Sequence, residues 1–292
     1  MATSPPLKPA PWRDLFLEHI QTMPTPEFVL STARQVPPPS SPSASSGPTH
    51  APRCRTCVFR GLFARLPVNP KNEAELNPAV YDSDLPTFTT DRRMDKMAEL
   101  WESSGEDGAG AGKGRYDGSG GGAPVEAVWW AAEPKVQWRV RGRAYVLAPD
   151  VEASAEGRRV VSVLRSRMRA GSESSGEESQ WSFAREITAH FGNLSPAMRG
   201  SFRNPPPGTP VAVSVDDPRL ALGQKVTDLQ DGIARGNFRL VVIVPEEVDR
   251  CDLSDPERAR RWLYTFVGDG RSEPRAPGGE IVDEWEKCEV WP

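Results

Sequence analysis

Segments of strand length recur along this chain and are separated by stretches rich in proline, glycine and serine. The candidate strands are residues 27–33, 55–63, 84–90, 125–132, 136–147, 237–244, 246–253 and 260–267. The connector between 125–132 and 136–147 has the length of a turn and contains Pro134, which predicts an antiparallel hairpin. No repeated alternation of strand and helix marks a parallel sheet. The pattern predicts a mainly β fold with peripheral helices, built as an antiparallel barrel.

Apolar residues at helical spacing predict a small number of helices beside the strands. They fall in residues 12–22, 91–102, 155–170 and 179–191. In the first of them Trp12, Phe16 and Ile20 share one face, which indicates an amphipathic helix that packs on the core.

Low-complexity segments interrupt the pattern at about 36–50, 103–123 and 171–179. We interpret them as insertions in a single domain that spans residues 10–292. The first insertion excludes a tight hairpin between the candidate strands on either side of it, although the two strands can still pair across it. The proline-rich residues 203–210 predict a further loop.

The charge balance and the hydropathy of the chain exclude several classes of partner. Among 292 residues, 36 Lys and Arg stand against 40 Asp and Glu, so the protein has no basic field for nucleic acid. No apolar stretch reaches membrane-spanning length, and the first residues lack the apolar core of a signal peptide. We expect a cytoplasmic protein that binds neither nucleic acid nor membrane, with its four cysteines as free thiols.

Cys54 and Cys57 have the spacing of a metal-binding or redox pair. A zinc site needs a second pair of ligands, but Cys251 and Cys288 are isolated and the histidines are scattered. Residues three apart in a strand also point to opposite faces. The sequence therefore predicts no metal site.

Residues 55–61 form a candidate strand with an arginine near each end. Alternation places Arg55, Cys57 and Phe59 on one face and the side chain of Arg60 on the other. Because an unpaired buried charge is unfavourable, these arginines either meet an anion or an electron-rich ring, or reach solvent at the strand ends.

A basic segment follows the candidate strand 84–90. Thr90 or Asp91 is a natural N-cap, which places Arg92, Arg93 and Lys96 in the first turn of the predicted helix. Cations there interact unfavourably with the helix dipole. A phosphate bound to the exposed backbone amides would make the same cations favourable. The segment indicates a phosphate site.

A polar row is predicted on the strand 136–147. Gln137, Arg139 and Arg141 alternate with apolar residues. The amide of Gln137 can donate to and accept from the pyrimidine edge of a flavin, or the row can face solvent.

In this order, the three segments resemble the FMN-binding split-barrel flavoproteins of the pyridoxamine 5'-phosphate oxidase class, in particular the branch of FMN-binding domain proteins. The early Pro-Trp-Arg at 11–13, the Asn-Phe and following strand at 237–248 and the Trp-rich ending at 285–292 extend the similarity. It covers nearly the whole chain outside the insertions. The resemblance implies an antiparallel split β-barrel, FMN as cofactor, and a homodimer with FMN at the interface.

The resemblance also implies roles for individual residues. Cofactor contacts would come from Arg55, Thr56, Cys57, Val58, Thr89, Thr90, Arg93, Lys96 and Gln137. Gln137 would reach the flavin from the neighbouring subunit or the facing barrel wall. Substrate contacts would come from Arg60 and Arg261.

The chain departs from the oxidase pattern in two places. Asp95 precedes Lys96 where the oxidases have an arginine, so Arg93 is the expected substitute. The stretch 248–253 lacks the histidine that the oxidases carry near their C-terminus, which argues against pyridoxamine phosphate as the substrate.

The resulting hypothesis is an FMN-dependent oxidoreductase that acts on an unidentified small molecule. The alternatives are a non-catalytic flavin-binding protein and an interaction protein on the same fold. No catalytic residue is predicted, because a flavin carries the electrons and the protein supplies position and polarity.

Overall fold

The computed structural model of the chain describes residues 8–36, 49–102, 116–171 and 178–292. The helices are α1 Arg13–Gln21, α2 Lys96–Glu102, α3 Ala155–Arg165, α4 Phe183–Gly192, α5 Pro196–Ser201 and α6 Gly232–Asn237, with a 3-10 turn at Glu178–Gln180. The strands are β1 Glu27–Val36, β2 Thr49–Val58, β3 Tyr81–Ser83, β4 Thr87–Asp91, β5 Gly120–Ala131, β6 Val136–Leu147, β7 Met168–Ala170, β8 Phe238–Asp252, β9 Arg260–Phe266, β10 Glu280–Val282 and β11 Trp285–Val290. None of the helices within these described ranges is long and apolar enough to cross a lipid bilayer.

Nine antiparallel strands form the main sheet, in the order β10-β11-β9-β8-β6-β5-β1-β2, with β4 also paired to β8. Strands β3 and β7 form a separate pair. The mainly β, antiparallel class predicted from the sequence is confirmed. The strand path has free ends at β10 and β2, so the described strands form no closed barrel. The split-barrel geometry itself stays a prediction.

The predicted hairpin is confirmed as the pair β5–β6, in which Trp129 lies opposite Trp138. The predicted break between 244 and 246 is wrong, because β8 runs through Pro245 without ending. The chain passes this point by a bulge, where Arg141 pairs with Glu247 and Gly142 with Pro245. A Cβ atom on Gly142 would lie 2.0 Å from the carbonyl oxygen of Val244, so only glycine fits opposite the bulge.

The insertions are shorter than the composition predicts. Strands β1 and β2 pair as far as Val36 and Thr49, which confirms that they pair across the first insertion. At the second, residues 120–123 belong to β5. Gly121 and Gly122 have φ angles of 89° and 112°, so this end of the strand needs glycine because of its backbone conformation. Residues 37–48, 103–115 and 172–177 lie outside the described residues.

Other boundaries differ for local reasons. Helix α3 ends at Arg165 and the chain turns into β7, so the predicted helix 155–170 is too long. Helix α4 begins later than position 179, because the Ser182 hydroxyl caps it by accepting from the backbone N–H of Arg185. The three-residue strands β3, β7 and β10 were not predicted, since so short a run shows no alternation.

One core is centred on α1. The ring of Phe16 lies edge-to-face against Trp12, Phe59, Trp129 and Trp138, with centroid separations of 5.2–5.8 Å. These aromatic side chains are all buried. The predicted amphipathic helix is confirmed, and its apolar face closes one side of the sheet.

A second core lies beyond β8, beneath α3 and α4. Phe63 stacks on Phe183, and Phe191 packs on Phe238. The helices that enclose this core lie away from α1, so the main sheet is covered by apolar contacts in two separate places.

Buried ion pairs anchor the start of the chain. The guanidinium of Arg13 lies 3.1 Å from Asp82 and 3.0 Å from Asp84, and Arg169 lies 2.8 Å from Asp84. The backbone N–H of Ala10 also donates to Asp84, at 2.8 Å. These contacts explain the early Pro-Trp-Arg, since Trp12 enters the core while Arg13 pairs with β3.

The position of Phe16 leads to a stability prediction. Replacing it in Phe16→Ala should lower the free energy of unfolding by about 3–5 kcal/mol, because it leaves a cavity among four aromatic rings. Urea unfolding followed by tryptophan fluorescence measures the change. The matched control on the same helix is Glu18→Ala, at an exposed position where a change within about 0.5 kcal/mol is expected. A loss below about 1 kcal/mol for Phe16→Ala would contradict the packing described.

Candidate functional site

A cavity of about 650 Å³ opens between two walls of different chemistry. The first wall comes from β2, β4 and the start of α2, and consists of Thr56, Cys57, Val58, Arg60, Thr89, Thr90, Asp91, Met94 and Lys96. The second comes from the segment 194–222 and consists mainly of apolar side chains and prolines. The predicted residues Thr56, Cys57, Val58, Arg60, Thr89, Thr90 and Lys96 therefore lie around one cavity, whereas Arg55, Arg93, Gln137 and Arg261 do not line it.

Backbone hydrogen bonds between β4 and the residues that follow β2 bring the parts of the first wall together. The N–H of Arg60 donates to the carbonyl of Thr87 at 2.8 Å, and the N–H of Thr87 donates to the carbonyl of Gly61 at 3.0 Å. The chain then turns at Gly61, where φ is 96° and a Cβ atom would lie 2.3 Å from Pro67. This turn keeps Arg60 beside β4, so the two predicted segments meet.

The basic segment is organised differently from the sequence prediction. Strand β4 continues through Asp91 and helix α2 begins at Lys96, so Arg92 and Arg93 do not lie in a helical turn. The carboxylate of Asp91 accepts from the N–H of Arg93 at 2.8 Å, which caps a turn and not a helix. Arg92 pairs with Asp117 at 2.6 Å. The predicted helix start with three cations in its first turn is wrong, and Lys96 is the cation that the helix carries there.

Arg93 connects the two walls of the cavity. Its guanidinium lies 2.6 Å from Asp91 and donates to the carbonyl oxygens of Asn204 at 2.9 Å and Phe202 at 3.2 Å. These contacts fix residues 202–204 of the second wall to the turn after β4. A role for Arg93 in phosphate binding stays a prediction.

Arg55 faces the interior, on the opposite side of β2 from Thr56. It pairs with Glu99 of α2, a residue that is only 2% exposed, and donates to Thr32 at 2.5 Å. Thr32 also donates to Glu99 at 2.5 Å. The group fastens α2 to β1 and β2, and thereby sets the position of Lys96.

Two cations of the first wall have no carboxylate partner among the described residues. The ammonium of Lys96 donates to the hydroxyl of Thr90 at 3.1 Å. The guanidinium of Arg60 contacts only the sulfur of Met198, at 3.9 Å, and its Nε is buried without a hydrogen-bond partner. Burial lowers the pKa of both groups. Since the carboxylate of Asp91 is already paired with Arg93, the wall carries uncompensated positive charge.

This wall fits the phosphate end of FMN. The buried, unpartnered Nε of Arg60 is an orphaned donor, and Thr56, Thr89 and Thr90 place hydroxyl groups on the same wall. Anions are bound well by such converging donors in a partly buried site. Cys57 is beside Lys96, and burial raises the pKa of its thiol, so it is neutral near pH 7 and suits an apolar contact.

Gln137 and Arg261 lie on the outer face of the sheet. Cross-strand pairs connect Thr56 to Val29, Val29 to Val128, and Val128 to Arg139, so these side chains share one face. Gln137 is on that face too, but three strands away from Thr56, which corresponds to about 14 Å. Within one chain, Gln137 is therefore remote from the first wall.

Arg261 is already engaged by a carboxylate. Its guanidinium lies 2.8 Å from Asp249, which is buried and also pairs with Arg139. Arg261 is the cross-strand neighbour of Cys251, and Cys251 is the neighbour of Gln137. Its role in substrate binding stays a prediction.

The cysteine pair has the geometry expected of a strand. Cys54 is exposed and Cys57 is buried, on opposite faces of β2. Across the part of the chain that the structure describes, no group of His, Cys, Asp and Glu is arranged to hold a metal ion.

The second wall was missed by reasoning from sequence. Residues 203–210 read only as a loop, and nothing local indicates that this loop faces a strand more than a hundred positions earlier. One signal was available. Val211, Val213 and Leu222 are apolar residues in a polar, proline-rich stretch, and all three are exposed at the cavity rim.

Comparison with known proteins finds a family model that matches the part of the chain containing the first wall. A family model described as pyridoxamine 5'-phosphate oxidase, FMN-binding domain, matches residues 9–148. These residues include Arg55, Lys96 and Gln137 but neither Arg261 nor the second wall. No curated protein matches the chain in sequence.

Two crystal structures resemble the whole chain. One is a pyridoxamine 5'-phosphate oxidase-related, FMN binding protein from Nostoc punctiforme, with 18% identity, a TM-score of 0.53, and coverage of 98% of this chain and 100% of that one. The other is PhzG from Burkholderia lata in complex with tetrahydrophenazine-1-carboxylic acid, with 13% identity, a TM-score of 0.45, and coverage of 99% and 95%. The first similarity concerns the fold alone.

Residues 9–148 thus match the model of the pyridoxamine 5'-phosphate oxidase FMN-binding domain family. The resemblance predicted from sequence is confirmed, and so is FMN as the cofactor of this domain.

The contacts of Arg93 lead to a second prediction. In Arg93→Ala, the carbonyls of Phe202 and Asn204 lose their donors, so backbone amides in 202–210 should exchange hydrogen faster. The free energy of unfolding should fall by about 1–3 kcal/mol. Hydrogen exchange with mass spectrometry, together with urea unfolding, measures both effects. The control is Arg219→Ala, which removes an exposed pair in the same segment. Unchanged exchange in 202–210 would show that Arg93 does not hold the second wall.

Proposed function

We propose that this protein is an FMN-dependent oxidoreductase that binds the flavin phosphate with Lys96 and Arg60. The observation that carries the proposal is the pair of cations without a carboxylate partner on one wall of the cavity. A phosphate monoester carries a charge of about −1.5 to −2 near pH 7, which two cations neutralise. The hydroxyls of Thr56, Thr89 and Thr90 supply further donors.

The remaining predicted residues have distinct roles in this proposal. Cys57 and Val58 form a neutral surface for the ribityl chain and ring. Arg55 acts through Glu99, which holds α2 in place, and Arg93 acts through the second wall. Both are positioning residues.

When bound, FMN supplies the electron-transfer chemistry. The chain binds the phosphate, orients the ring and keeps water from the apolar side of the cavity. The titratable groups on the described cavity walls are Cys57, Arg60, Asp91 and Lys96. Cys57 is neutral, Asp91 is paired with Arg93, and Arg60 and Lys96 are assigned to the phosphate. We therefore propose no catalytic residue.

The same observation favours a second candidate, a flavin-binding protein without turnover. A binding site for FMN needs the two cations, whereas the cavity walls that the structure describes carry no acid–base pair. Purified protein that retains FMN but oxidises neither NADH, NADPH nor pyridoxamine phosphate under air would support this candidate.

The FMN site gives a third prediction. Lys96→Ala and Arg60→Ala should each weaken FMN binding by about 10- to 100-fold, since each removes a charge-assisted contact worth about 1.5–3 kcal/mol. Titration of FMN with protein freed of cofactor, followed by quenching of flavin fluorescence, measures the affinity. Lys96→Arg keeps the charge and should retain most of it.

Arg219→Ala, which removes an exposed guanidinium, is the control for a general loss of charge. Unchanged affinity in both alanine variants would place the phosphate elsewhere. A colourless protein that takes up no FMN would overturn the proposed function.

We also propose that the protein is a homodimer with FMN at the interface. Gln137 does not line the same chain's cavity, and it lies three strands from Thr56 along the sheet, a spacing of about 14 Å. Val29 and Trp130, which are 42% and 47% exposed, lie on the same face of the sheet as Gln137. Exposed apolar side chains that share one face of a sheet support contact with a second copy.

The dimer gives a fourth prediction. Trp130→Glu should convert a dimer of 32.1 kDa chains into monomers, because it buries a charge at the interface. Light scattering after size-exclusion chromatography measures the mass. The matched control is Trp291→Glu, which changes another exposed tryptophan beyond β11 and should leave the dimer intact. A monomeric unmodified protein at micromolar concentration would contradict the proposal.

A further inference from the structure

The second wall of the cavity offers no charge to a ligand. It contributes apolar side chains, among them Leu194, Met198, Phe202 and Leu222, together with consecutive prolines at 205–207. Its polar lining groups are the hydroxyls and amide of Ser201, Asn204 and Thr209. The two walls of one cavity therefore differ sharply in polarity.

The second wall is held in a defined position. The N–H of Ala221 donates to the carbonyl of Arg203 at 3.0 Å, which closes the loop at its base. Arg203 also pairs with Asp231 at 2.9 Å, and Arg93 fixes the preceding residue through its carbonyl. Prolines within the loop restrict its backbone further. The apolar side chains are therefore presented to the cavity by a braced loop.

Several of these side chains are exposed although they line a cavity. Leu222 is 77% exposed and Met198 is 42% exposed. A cluster of exposed apolar side chains at a cavity rim marks a binding surface, because a ligand there would remove apolar area from water.

Among the described residues of one chain, the charges of the cavity leave none for a second anionic ligand. In the proposed function, Lys96 and Arg60 neutralise the flavin phosphate. Asp91 is paired with Arg93. An anionic group placed against the second wall would lose its hydration without gaining a counter-charge, which is unfavourable.

We infer that the substrate is an uncharged, largely apolar molecule that binds between the flavin site and the wall 194–222. The inference rests on the proposed function and adds the class of substrate. Burial of apolar surface holds such a molecule, and ion pairing does not. A phosphorylated or carboxylated substrate is disfavoured.

The test uses the holoprotein and an uncharged fluorescent probe, N-phenyl-1-naphthylamine. Its fluorescence should rise on binding, and Leu222→Asp should weaken that binding by about tenfold or more. The matched control is Leu253→Asp, which changes an exposed leucine in the turn after β8 and should bind the probe as before. Equal binding by Leu222→Asp and the unmodified protein would overturn the inference.

A competition experiment tests the charge argument directly. Pyridoxal and pyridoxal 5'-phosphate differ only in the phosphate group. Because the described cavity has no free positive charge for a substrate, pyridoxal 5'-phosphate should displace the probe no more tightly than pyridoxal does. Tighter displacement by pyridoxal 5'-phosphate would overturn the inference. An Arg60→Ala variant with unchanged FMN affinity would do the same, because Arg60 would then be available to an anionic substrate.

The outcomes separate this inference from the proposed function. Protein that neither contains nor takes up FMN defeats the proposed function, whatever the probe does. Protein that holds FMN but binds no probe defeats the inference alone. If Leu222→Asp lowers the molecular mass of a dimer, the wall is an interface between copies and the inference is overturned.

Discussion

Strand β8 is the element on which the rest of the structure depends. From Leu240 to Asp252 it pairs with β6 on one edge, while β4 pairs with the first part of its other edge and β9 with the last part. Its side chains alternate between the two cores, with Val241 and Ile243 in one and Leu240 and Val242 in the other. Pro245 lies between the stretches paired with β4 and β9, where a missing N–H removes no ladder bond. Strand β8 thus contributes side chains to both cores, and one of its edges pairs first with β4 and then with β9.

The positive character of the site is local and arises from pairing elsewhere. The protein has a net charge of −4, so no general field attracts an anion. Buried carboxylates near the cavity are matched by arginines, Glu99 by Arg55 and Asp91 by Arg93. Among the residues that the structure describes, Lys96 and Arg60 have no such partner. Because Arg55 and Arg93 already pair with the buried carboxylates, Lys96 and Arg60 are available to bind an anion.

The two walls of the cavity come from different parts of the chain. Residues 9–148, which match the FMN-binding domain family, supply the first wall. The second wall lies outside that match, is joined to the turn after β4 by the hydrogen bonds of Arg93, and packs on β8 through Phe202 and Phe238. The proposed cofactor side therefore lies within the matched residues, whereas the apolar second wall lies outside them.

The sequence by itself determined the features that depend on residues close together in the chain. Apolar spacing fixed α1, alternation and a short connector fixed the β5–β6 hairpin, and the ordered motifs identified the family and FMN. The tertiary structure decided where α2 begins, because Asp91 pairs with Phe238 in the sheet and its side chain caps a turn. It also decided that Arg93 holds Phe202 and Asn204, and that 194–222 faces Lys96. These outcomes depend on contacts between residues far apart in the chain, and a local pattern carries no information about such partners.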